Sequence, residues 1–225
     1  MAGRSLPLSL RALSFDLDGT LLDTLPDIAA SVNRTLEAFG RPSLPLALIG
    51  TMVGDGARTL LARALGQGGA GPGAGPGDPA LDFFLRDYLR HCLAETRPYP
   101  GVRETLERLG DYRLIIVTNK PRLQVDRMLD GLALRNYFAL VITPDECPER
   151  KPDPAPFRMA LARLALAPGE MAHIGDSPCD ILGGKAAGLL TVGVTYGIGA
   201  AEEVRAAGPD YLLARFEELA PWLGK

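Results

Sequence analysis

The sequence predicts a doubly wound parallel α/β sheet, a Rossmann-like core, with an α-helical cap domain inserted near its beginning. Short apolar runs that end in polar residues and lead into helical stretches recur along the chain, which is the order found in parallel sheets with helices on both faces. Residues 23–96 interrupt this order with helical patterns alone. We therefore expect an α/β core formed by residues 1–22 and 97–225 and a cap formed by residues 23–96.

The first apolar run, residues 12–15, predicts a buried strand that ends in two carboxylates. Residues 16–20 are Asp-Leu-Asp-Gly-Thr. Asp16 and Asp18 stand two positions apart, so in an extended segment their side chains point the same way. The carboxyl ends of parallel strands are where ligands of such sheets bind. Two carboxylates there need a cation or a role in proton transfer, because burying them unpaired would be costly.

The same segment has two plainer interpretations, an ordinary turn and a calcium-binding loop. Asp and Gly are common in turns, so the segment alone is weak evidence. A calcium loop of the EF-hand type would need glycine at its sixth position and glutamate at its twelfth. Leu21 and Asp27 stand at those positions, and a strand pattern precedes the segment where an EF-hand needs a helix.

Residues 23–96 predict a cap of helices. Apolar residues recur at helical spacing in residues 26–39, and residues 57–65 and 80–94 look helical as well. Residues 66–77, which join the last two helices, are almost all glycine, proline and alanine. Such a stretch cannot bury enough apolar surface to hold one shape, so it predicts a flexible loop. No Gly-Lys-Ser/Thr ends it, which excludes a phosphate-binding P-loop.

The core after the cap carries the remaining polar candidates at strand ends and in one loop. Thr118 and Asn119 follow one apolar run, Asp176 and Asp180 follow another, and Lys151 stands in a loop before a helical stretch. The predicted strands of this part are residues 114–117, 140–142, 171–174, 191–194 and 211–213.

Each of these residues also has a structural explanation when taken alone. Thr118 could cap the following helix. Lys151 could be a solvated surface lysine, and Asp180 could be a first-turn carboxylate that meets a helix dipole. His91 and His173 have no partners at ligand spacing, so we do not expect either histidine to be catalytic.

Composition limits the partners and the location. The chain has 225 residues, a net charge of −3, no long Lys/Arg block and three cysteines without a disulfide or zinc pattern. Nucleic acid is therefore not an expected partner. No apolar stretch approaches the length of about 20 residues that crosses a membrane. The apolar run near the start is broken by Pro7 and closed by Arg11, which argues against a signal peptide. We expect a cytoplasmic protein.

The four polar segments together resemble the motifs of the haloacid dehalogenase superfamily of aspartate-nucleophile phosphotransferases. They are residues 16–20, 118–121, 151–157 and 175–180, in the order of that superfamily. The resemblance implies that Asp16 is the nucleophile and that Asp18 is the general acid and base. It implies a Mg²⁺ cofactor held by the Asp16 side chain, the Asp18 backbone carbonyl and the Asp176 side chain.

The resemblance also implies roles for the other candidates. Thr118 and the backbone N–H of Asn119 would hold phosphoryl oxygens, and Lys151 would neutralise charge on the nucleophile and the phosphoryl group. Asp180 would support the metal's surroundings or orient Lys151.

Within the superfamily, the chain is most similar to the phosphoglycolate phosphatases, which implies 2-phosphoglycolate as the substrate and a role in carbohydrate metabolism. Residues 21–24, 53–56, 118–120 and 193–197 carry this similarity. The glycine-rich loop and residues 181–184 depart from the usual pattern. Arg58 is a candidate for binding the substrate's carboxylate, although it could equally be a solvated arginine of the cap.

Other functions share part of this pattern. A sugar-phosphate phosphatase or a phosphomutase would share all four motifs. A dehalogenase would have no alkoxide for Asp18 to protonate, and a phosphonatase would need a lysine in the cap, where residues 23–96 contain none. A catalytically dead binding module usually loses a motif carboxylate, and this chain keeps all of them. The expected partner is a small phosphorylated metabolite, and the expected assembly is a monomer or a homodimer.

Overall fold

A computed structural model describes residues 6–7, 9–66 and 77–225. The strands in these residues are β1 (Ala12–Phe15), β2 (Leu22–Asp23), β3 (Arg97–Pro98), β4 (Arg113–Val117), β5 (Leu140–Ile142), β6 (Met171–Gly175), β7 (Leu190–Val194) and β8 (Tyr211–Leu213). The helices are α1 (Leu25–Ala38), α2 (Leu46–Gly50), α3 (Ala57–Ala64), α4 (Pro79–His91), α5 (Val102–Arg108), α6 (Arg122–Gly131), α7 (Ala155–Leu164), α8 (Pro178–Ala186), α9 (Ala201–Ala206) and α10 (Leu219–Trp222). Short 3₁₀ turns cover Arg135–Tyr137, Pro168–Glu170 and Phe216–Glu218.

The main sheet confirms the predicted doubly wound parallel fold. Within the described residues it has six strands in the order β5-β4-β1-β6-β7-β8, and every neighbouring pair is parallel. The strand β1 is therefore central, between β4 and β6. Because parallel neighbours start and end at the same edges, the segments that follow β4, β1 and β6 meet at the carboxyl edge.

Helices cover both faces of this sheet, which explains why its strands read as continuous apolar runs. Every residue of β1 is fully buried. Phe15 packs into one apolar cluster with Met128 of α6. Ala12 and Ile115 point to the other face and pack in a cluster with Phe157 of α7. Alternate residues of each strand thus serve the two helical layers.

The cap segment contains α1 to α4. The helices α1 and α4 pack along each other and are joined by an ion pair in which Arg34 Nη2 lies 2.7 Å from Asp87 Oδ2. The predicted helices at 26–39, 57–65 and 80–94 correspond to α1, α3 and α4. The sequence analysis did not predict the short helix α2. The flexible loop predicted for residues 66–77 lies outside the described residues, except for Gly66 and Gly77 at its two ends.

The expectation that no strand occurs between β1 and the later core was wrong in one detail. The strands β2 and β3 form a small antiparallel pair in which Asp23 faces Arg97. Two residues per strand are too few to give a periodic apolar signal. The pair brings together the two points at which the chain was predicted to enter and leave the cap, although the domain boundaries themselves stay a prediction. No helix in the described part of the chain combines the length and apolarity needed to span a membrane.

Candidate active site

Asp16 and Asp18 lie at the carboxyl edge of the sheet, where β1 ends. The backbone N–H of Asp16 still donates to Ile174 O of β6, at 2.9 Å. Gly19 then turns the chain with φ at +81°, and a Cβ at this position would lie 2.0 Å from Asp176 Oδ2. Only glycine allows both the left-handed turn and this close passage, so the motif's glycine brings the two ends of β1 and β6 together.

A cavity opens at this edge, between the sheet and the helices of the segment predicted to form the cap. It is lined by core residues that include Asp16, Asp18, Thr118, Asn119, Lys120, Gln124 and Asp176, and by cap residues that include Val53, Gly54, Gly56, Leu60, Phe84 and Tyr88. The structure thus brings five of the predicted site residues to one cavity. Lys151 and Asp180 are also close by, but they are buried beside Asp16 and are not among the described residues that line the cavity.

Asp16 is the carboxylate whose environment is least balanced by donors. Its Oδ1 forms an ion pair with Lys151 Nζ at 2.8 Å, and no other donor among the described residues contacts this buried oxygen. Burial raises the pKa of Asp16 to about 6, although the positive charge of Lys151 opposes the shift. A buried carboxylate with so few donors keeps lone pairs free for a metal cation or a reacting group.

The Lys151 ammonium is held by three oxygens. Besides Asp16, it contacts Asp180 Oδ1 at 2.6 Å and Val117 O at 2.8 Å. Burial alone would lower the pKa of Lys151, but the charges of Asp16 and Asp180 outweigh it and raise the pKa. Lys151 therefore stays a cation, and its side chain is not a solvated surface lysine, since the residue is 4% exposed.

Asn119 fixes the backbone of Lys151. Its side chain accepts from Lys151 N at 2.9 Å and donates to Lys151 O at 3.0 Å. The same amide group donates to Gly54 O of the cap at 3.0 Å. The side chain of Asn119 is thus occupied in positioning two loops.

Asp180 combines the two roles that the sequence left open for it. Its Oδ2 accepts from the backbone N–H and hydroxyl of Ser177, at 3.1 and 2.6 Å, which caps α8. Its Oδ1 accepts from Lys151. Burial would raise the pKa of Asp180, but Lys151 and His173 outweigh it and hold the pKa well below its usual range.

His173 contacts Asp180, and the sequence analysis did not predict this contact. Its Nε2 lies 3.1 Å from Asp180 Oδ1, and its Nδ1 lies 2.8 Å from the Ser14 hydroxyl. Because a carboxylate only accepts, Nε2 donates, and Nδ1 accepts from Ser14. Burial lowers the pKa of His173, which agrees with a neutral ring. The histidine is a strand residue, as predicted, but it has a partner.

Asp176 is held by groups from two loops. Thr20 Oγ1 donates to its Oδ1 at 3.2 Å, and the backbone N–H groups of Ile198 and Gly199 donate to its Oδ2 at 2.9 Å each. Burial, together with the charges of Asp16 and Asp180, raises the pKa of Asp176 to about 8. The sequence analysis did not predict this second loop; the nearest signal was the family similarity carried by residues 193–197, which end just before it.

The carboxylates fit a divalent cation. Asp16, Asp176 and Asp180 are all buried, and each offers an oxygen within 4.8 Å of the others. Like charges at this separation repel one another, and oxygen-only ligand sets suit Mg²⁺ and Ca²⁺. Asp16 and Asp176 line the cavity, whereas Asp180 is not among the described residues that line it, so Asp16 and Asp176 are the better candidates for direct metal ligands.

Lys120 is the second cation of the site, and its role was missed. Its Nζ lies 2.8 Å from both carboxylate oxygens of Asp18 and 2.8 Å from the Tyr88 hydroxyl of α4. The partners are far apart in sequence, so only its position directly after Thr118 and Asn119 could have suggested it.

Thr118 and Arg58 complete the predicted set. Thr118 lines the cavity and accepts from Lys120 N at 3.2 Å. The residue that caps α6 is Pro121, so Thr118 is not the helix cap. Arg58 lies in the first turn of α3, which begins at Ala57 as predicted, but it is partly exposed and is not among the described residues lining the cavity.

Comparison with known proteins gives one consistent family. The sequence pattern of the family described as haloacid dehalogenase-like hydrolase matches residues 13–194. The chain is 35% identical to a phosphoglycolate phosphatase of Pectobacterium atrosepticum over 96% of its own length and 93% of that protein. It is 38% identical to a phosphoglycolate phosphatase of Colwellia psychrerythraea, over 92% of its own length and 94% of that protein.

Solved structures agree. The crystal structure of a predicted phosphoglycolate phosphatase from Haemophilus somnus 129pt has a TM-score of 0.85 and 31% identity, and the match covers 95% of this chain and 97% of that one. A predicted phosphatase from Clostridium acetobutylicum has a TM-score of 0.81 and 26% identity, with 94% and 97% of the two chains covered.

Proposed function

The chain belongs to the haloacid dehalogenase-like hydrolase family and is a phosphatase within it, and we propose that it hydrolyses 2-phosphoglycolate to glycolate and phosphate. The observation that carries the proposal is Asp16, a buried carboxylate whose Oδ1 has the Lys151 ammonium at 2.8 Å but no other donor among the described residues, and which shares a cavity with Asp18 and Asp176. The choice of substrate rests on relatives that bear this name and match nearly the whole chain.

In the proposed reaction, the Asp16 carboxylate attacks phosphorus. The bond from phosphorus to the ester oxygen breaks, an aspartyl-phosphate forms, and Asp18 gives its proton to the departing alkoxide. Asp18 then takes a proton from water, which attacks the aspartyl-phosphate and releases phosphate. This second step restores both carboxyl groups to their starting states.

The neighbouring groups would stabilise the charge that builds up on the phosphoryl oxygens. The Thr118 hydroxyl and the Asn119 backbone N–H would donate to these oxygens. Lys151, held as a cation between Asp16 and Asp180, would offset charge on both the nucleophile and the phosphoryl group. These groups are preorganised, because Thr118, Asn119 and Lys151 are buried and their side chains already form hydrogen bonds.

We propose Mg²⁺ as the cofactor, held by the Asp16 and Asp176 side chains and the Asp18 backbone carbonyl. When bound, the ion supplies positive charge to the transferring phosphoryl group and orients it for in-line displacement. The cluster of buried carboxylates supports this assignment.

A sugar phosphate is the second candidate substrate, and Gln124 favours it. The residue is 4% exposed and lines the cavity, and its Oε1 has no hydrogen-bond partner among the described residues. Its amide nitrogen faces Leu85 O at 3.4 Å, so the free group is the acceptor. An unpaired acceptor suits a substrate hydroxyl, which a sugar phosphate offers; a phosphomutase of the same family would also fit.

Steady-state kinetics on a panel of phosphorylated metabolites tests the proposal. We expect the highest kcat/KM for 2-phosphoglycolate and no turnover in a purified Asp16→Asn variant, which keeps the shape of the side chain. A higher kcat/KM for a hexose or pentose phosphate would favour the second candidate. Substantial activity of folded Asp16→Asn protein would contradict the mechanism.

Four further proposals follow from the sequence and the family. The cap spans residues 23–96, and the pairing of β2 with β3 supports this division. The protein acts on a small phosphorylated metabolite in carbohydrate metabolism, in the cytoplasm, as a monomer or a homodimer. Size-exclusion chromatography with light scattering distinguishes the two assemblies.

A further inference from the structure

Lys120 is the one cationic side chain among the described residues that line the cavity. The residue is 6% exposed, and its ammonium lies 2.8 Å from both carboxylate oxygens of Asp18. A buried ammonium needs close polar partners to replace its hydration. The reaction described above assigns no role to this cation, although it touches the proposed acid.

Tyr88 gives the Lys120 ammonium its third contact. The phenol oxygen accepts from Nζ at 2.8 Å, so its own proton points away from the ammonium, and this hydroxyl donates no hydrogen bond to the described residues. The ring stacks on Phe84 of the same helix, with centroids 5.6 Å apart and planes at 6°. Tyr88 therefore presents a fixed hydroxyl donor at the cavity wall, next to the ammonium.

We propose that Lys120 and Tyr88 form the subsite that binds the carboxylate of the substrate. This inference rests on the proposed function. Asp18 must contact the ester oxygen of the substrate, and in 2-phosphoglycolate a single carbon separates that oxygen from the carboxylate. The carboxylate therefore falls beside the ammonium that already contacts Asp18. Lys120 can release one Asp18 oxygen to the substrate and keep the other.

The arginines near the cavity are weaker candidates. Arg58, the sequence-based candidate, is not among the described lining residues. Arg150 approaches the cap loop, because a Cβ at Gly56 would lie 2.9 Å from its Nη1, but it does not line the described cavity either. Lys120 is both inside the cavity and adjacent to the reacting end.

Binding of two phosphonates to the Mg²⁺-loaded full chain, measured by titration calorimetry, tests the subsite. 3-Phosphonopropionate has the shape of 2-phosphoglycolate with a methylene in place of the ester oxygen, so it is not hydrolysed. Propylphosphonate lacks only the carboxylate. We expect wild-type protein to prefer 3-phosphonopropionate by about tenfold or more, the effect of a hydrogen bond to a charged group.

Two variants locate this preference. Lys120→Met, which keeps the length of the side chain, should remove most of it, and Tyr88→Phe should reduce it by a smaller factor while leaving Lys120 in place. Lys185→Met is the matched control, because Lys185 is exposed, and it should keep the full preference. A structural role for Lys120 would weaken binding of both ligands equally and would overturn the proposal.

The outcomes separate the subsite from the substrate. A full preference retained in folded Lys120→Met, or lost in Arg58→Ala instead, overturns the subsite and leaves the proposed substrate intact. Equal binding of the two phosphonates by wild-type protein overturns both. Circular dichroism reports whether Lys120→Met is folded. If it is not, Tyr88→Phe decides, since an unchanged preference there contradicts the proposal.

Discussion

At the scale of single residues, the pKa values of the buried carboxylates depend on how the positive charge of Lys151 is divided between them. Lys151 lies between Asp16 and Asp180, but Asp180 has the shorter contact and additional donors. Asp16 therefore receives only part of the neutralisation, and its pKa rises while the pKa of Asp180 falls. This division leaves Asp16 available for a metal and a phosphoryl group.

Asp18→Asn should separate substrates by their leaving groups. An alkyl alkoxide needs a proton as it departs, whereas p-nitrophenolate leaves without one. We expect kcat on 2-phosphoglycolate to fall by about 10²–10⁴-fold, the usual effect of a general acid, and kcat on p-nitrophenyl phosphate to fall much less. Equal losses on both substrates would make Asp18 a structural or metal-supporting residue.

His173→Phe should destabilise the protein in a pH-dependent way. The variant removes a buried donor to Asp180, which we expect to lower the free energy of unfolding by roughly 1–3 kcal/mol at neutral pH. Burial lowers the folded-state pKa of His173. Below the unfolded pKa of about 6.5, the unfolded wild-type chain therefore binds a proton that the folded protein does not. This binding favours the unfolded state and lowers the free energy of unfolding of the wild-type protein.

The stability difference between wild-type and His173→Phe protein should consequently narrow as the pH falls from 7 to 5, in urea denaturation at both values. A difference that widens would mean that folding raises the pKa of the ring, and a difference that does not depend on pH would mean that folding leaves this pKa unchanged; either result contradicts a neutral ring held by burial. His91→Phe, at an exposed position, is the control for loss of a histidine.

The placement of site residues was predictable where a motif stands directly after a strand. Asp16, Thr118 and Asp176 share this placement, and the structure brings them to one cavity. Lys120 and His173 were missed because their partners are set by tertiary packing: Tyr88 comes from the cap, and Asp180 comes from the helix after the strand of His173. Whether the motif residues act as assigned stays a prediction for the variants above.

At the scale of elements, Asp27 links the beginning and the end of the segment predicted to form the cap. It lies in the first turn of α1, and its carboxylate accepts from Glu95 N at 3.0 Å and from Thr96 N and Oγ1 at 2.9 and 2.8 Å. These residues lie where the chain leaves the cap segment, so one side chain joins its beginning to its end. The position also places a negative charge at a helix N-terminus.

Asp27→Ala should therefore lower the free energy of unfolding by about 2–3 kcal/mol, because it removes a charged acceptor and leaves buried donors unpaired. Chemical denaturation measures this loss. Glu37→Ala, at an exposed position of the same helix, should change the stability by less than about 0.5 kcal/mol. A loss no larger than that of Glu37→Ala would show that water replaces the carboxylate without cost.

At the scale of the whole molecule, the fold class was predictable because its signal is local and repeated. Each buried strand reads as an apolar run, and each is followed by a helix or a polar turn. The strand order could not be predicted in this way, because it depends on which helices pack on which face of the sheet. No local pattern indicates that β1 lies between β4 and β6. That central position is what gathers the motif carboxylates.

The gathering of these carboxylates leads to a prediction for metal removal. Asp16 and Asp176 come from the ends of neighbouring strands, and their buried charges repel each other unless a cation lies between them. Exhaustive EDTA treatment should abolish turnover and lower Tm, and Mg²⁺ should restore both, because a ligand that binds only the folded state stabilises it.

Ca²⁺ should restore Tm but not turnover, since its bonds of about 2.3–2.6 Å exceed the 2.0–2.1 Å of Mg²⁺ and displace the phosphoryl group. Asp176→Asn should remove the dependence of Tm on Mg²⁺. Full activity after chelation, or a Tm that ignores both ions, would contradict a metal at this edge of the sheet.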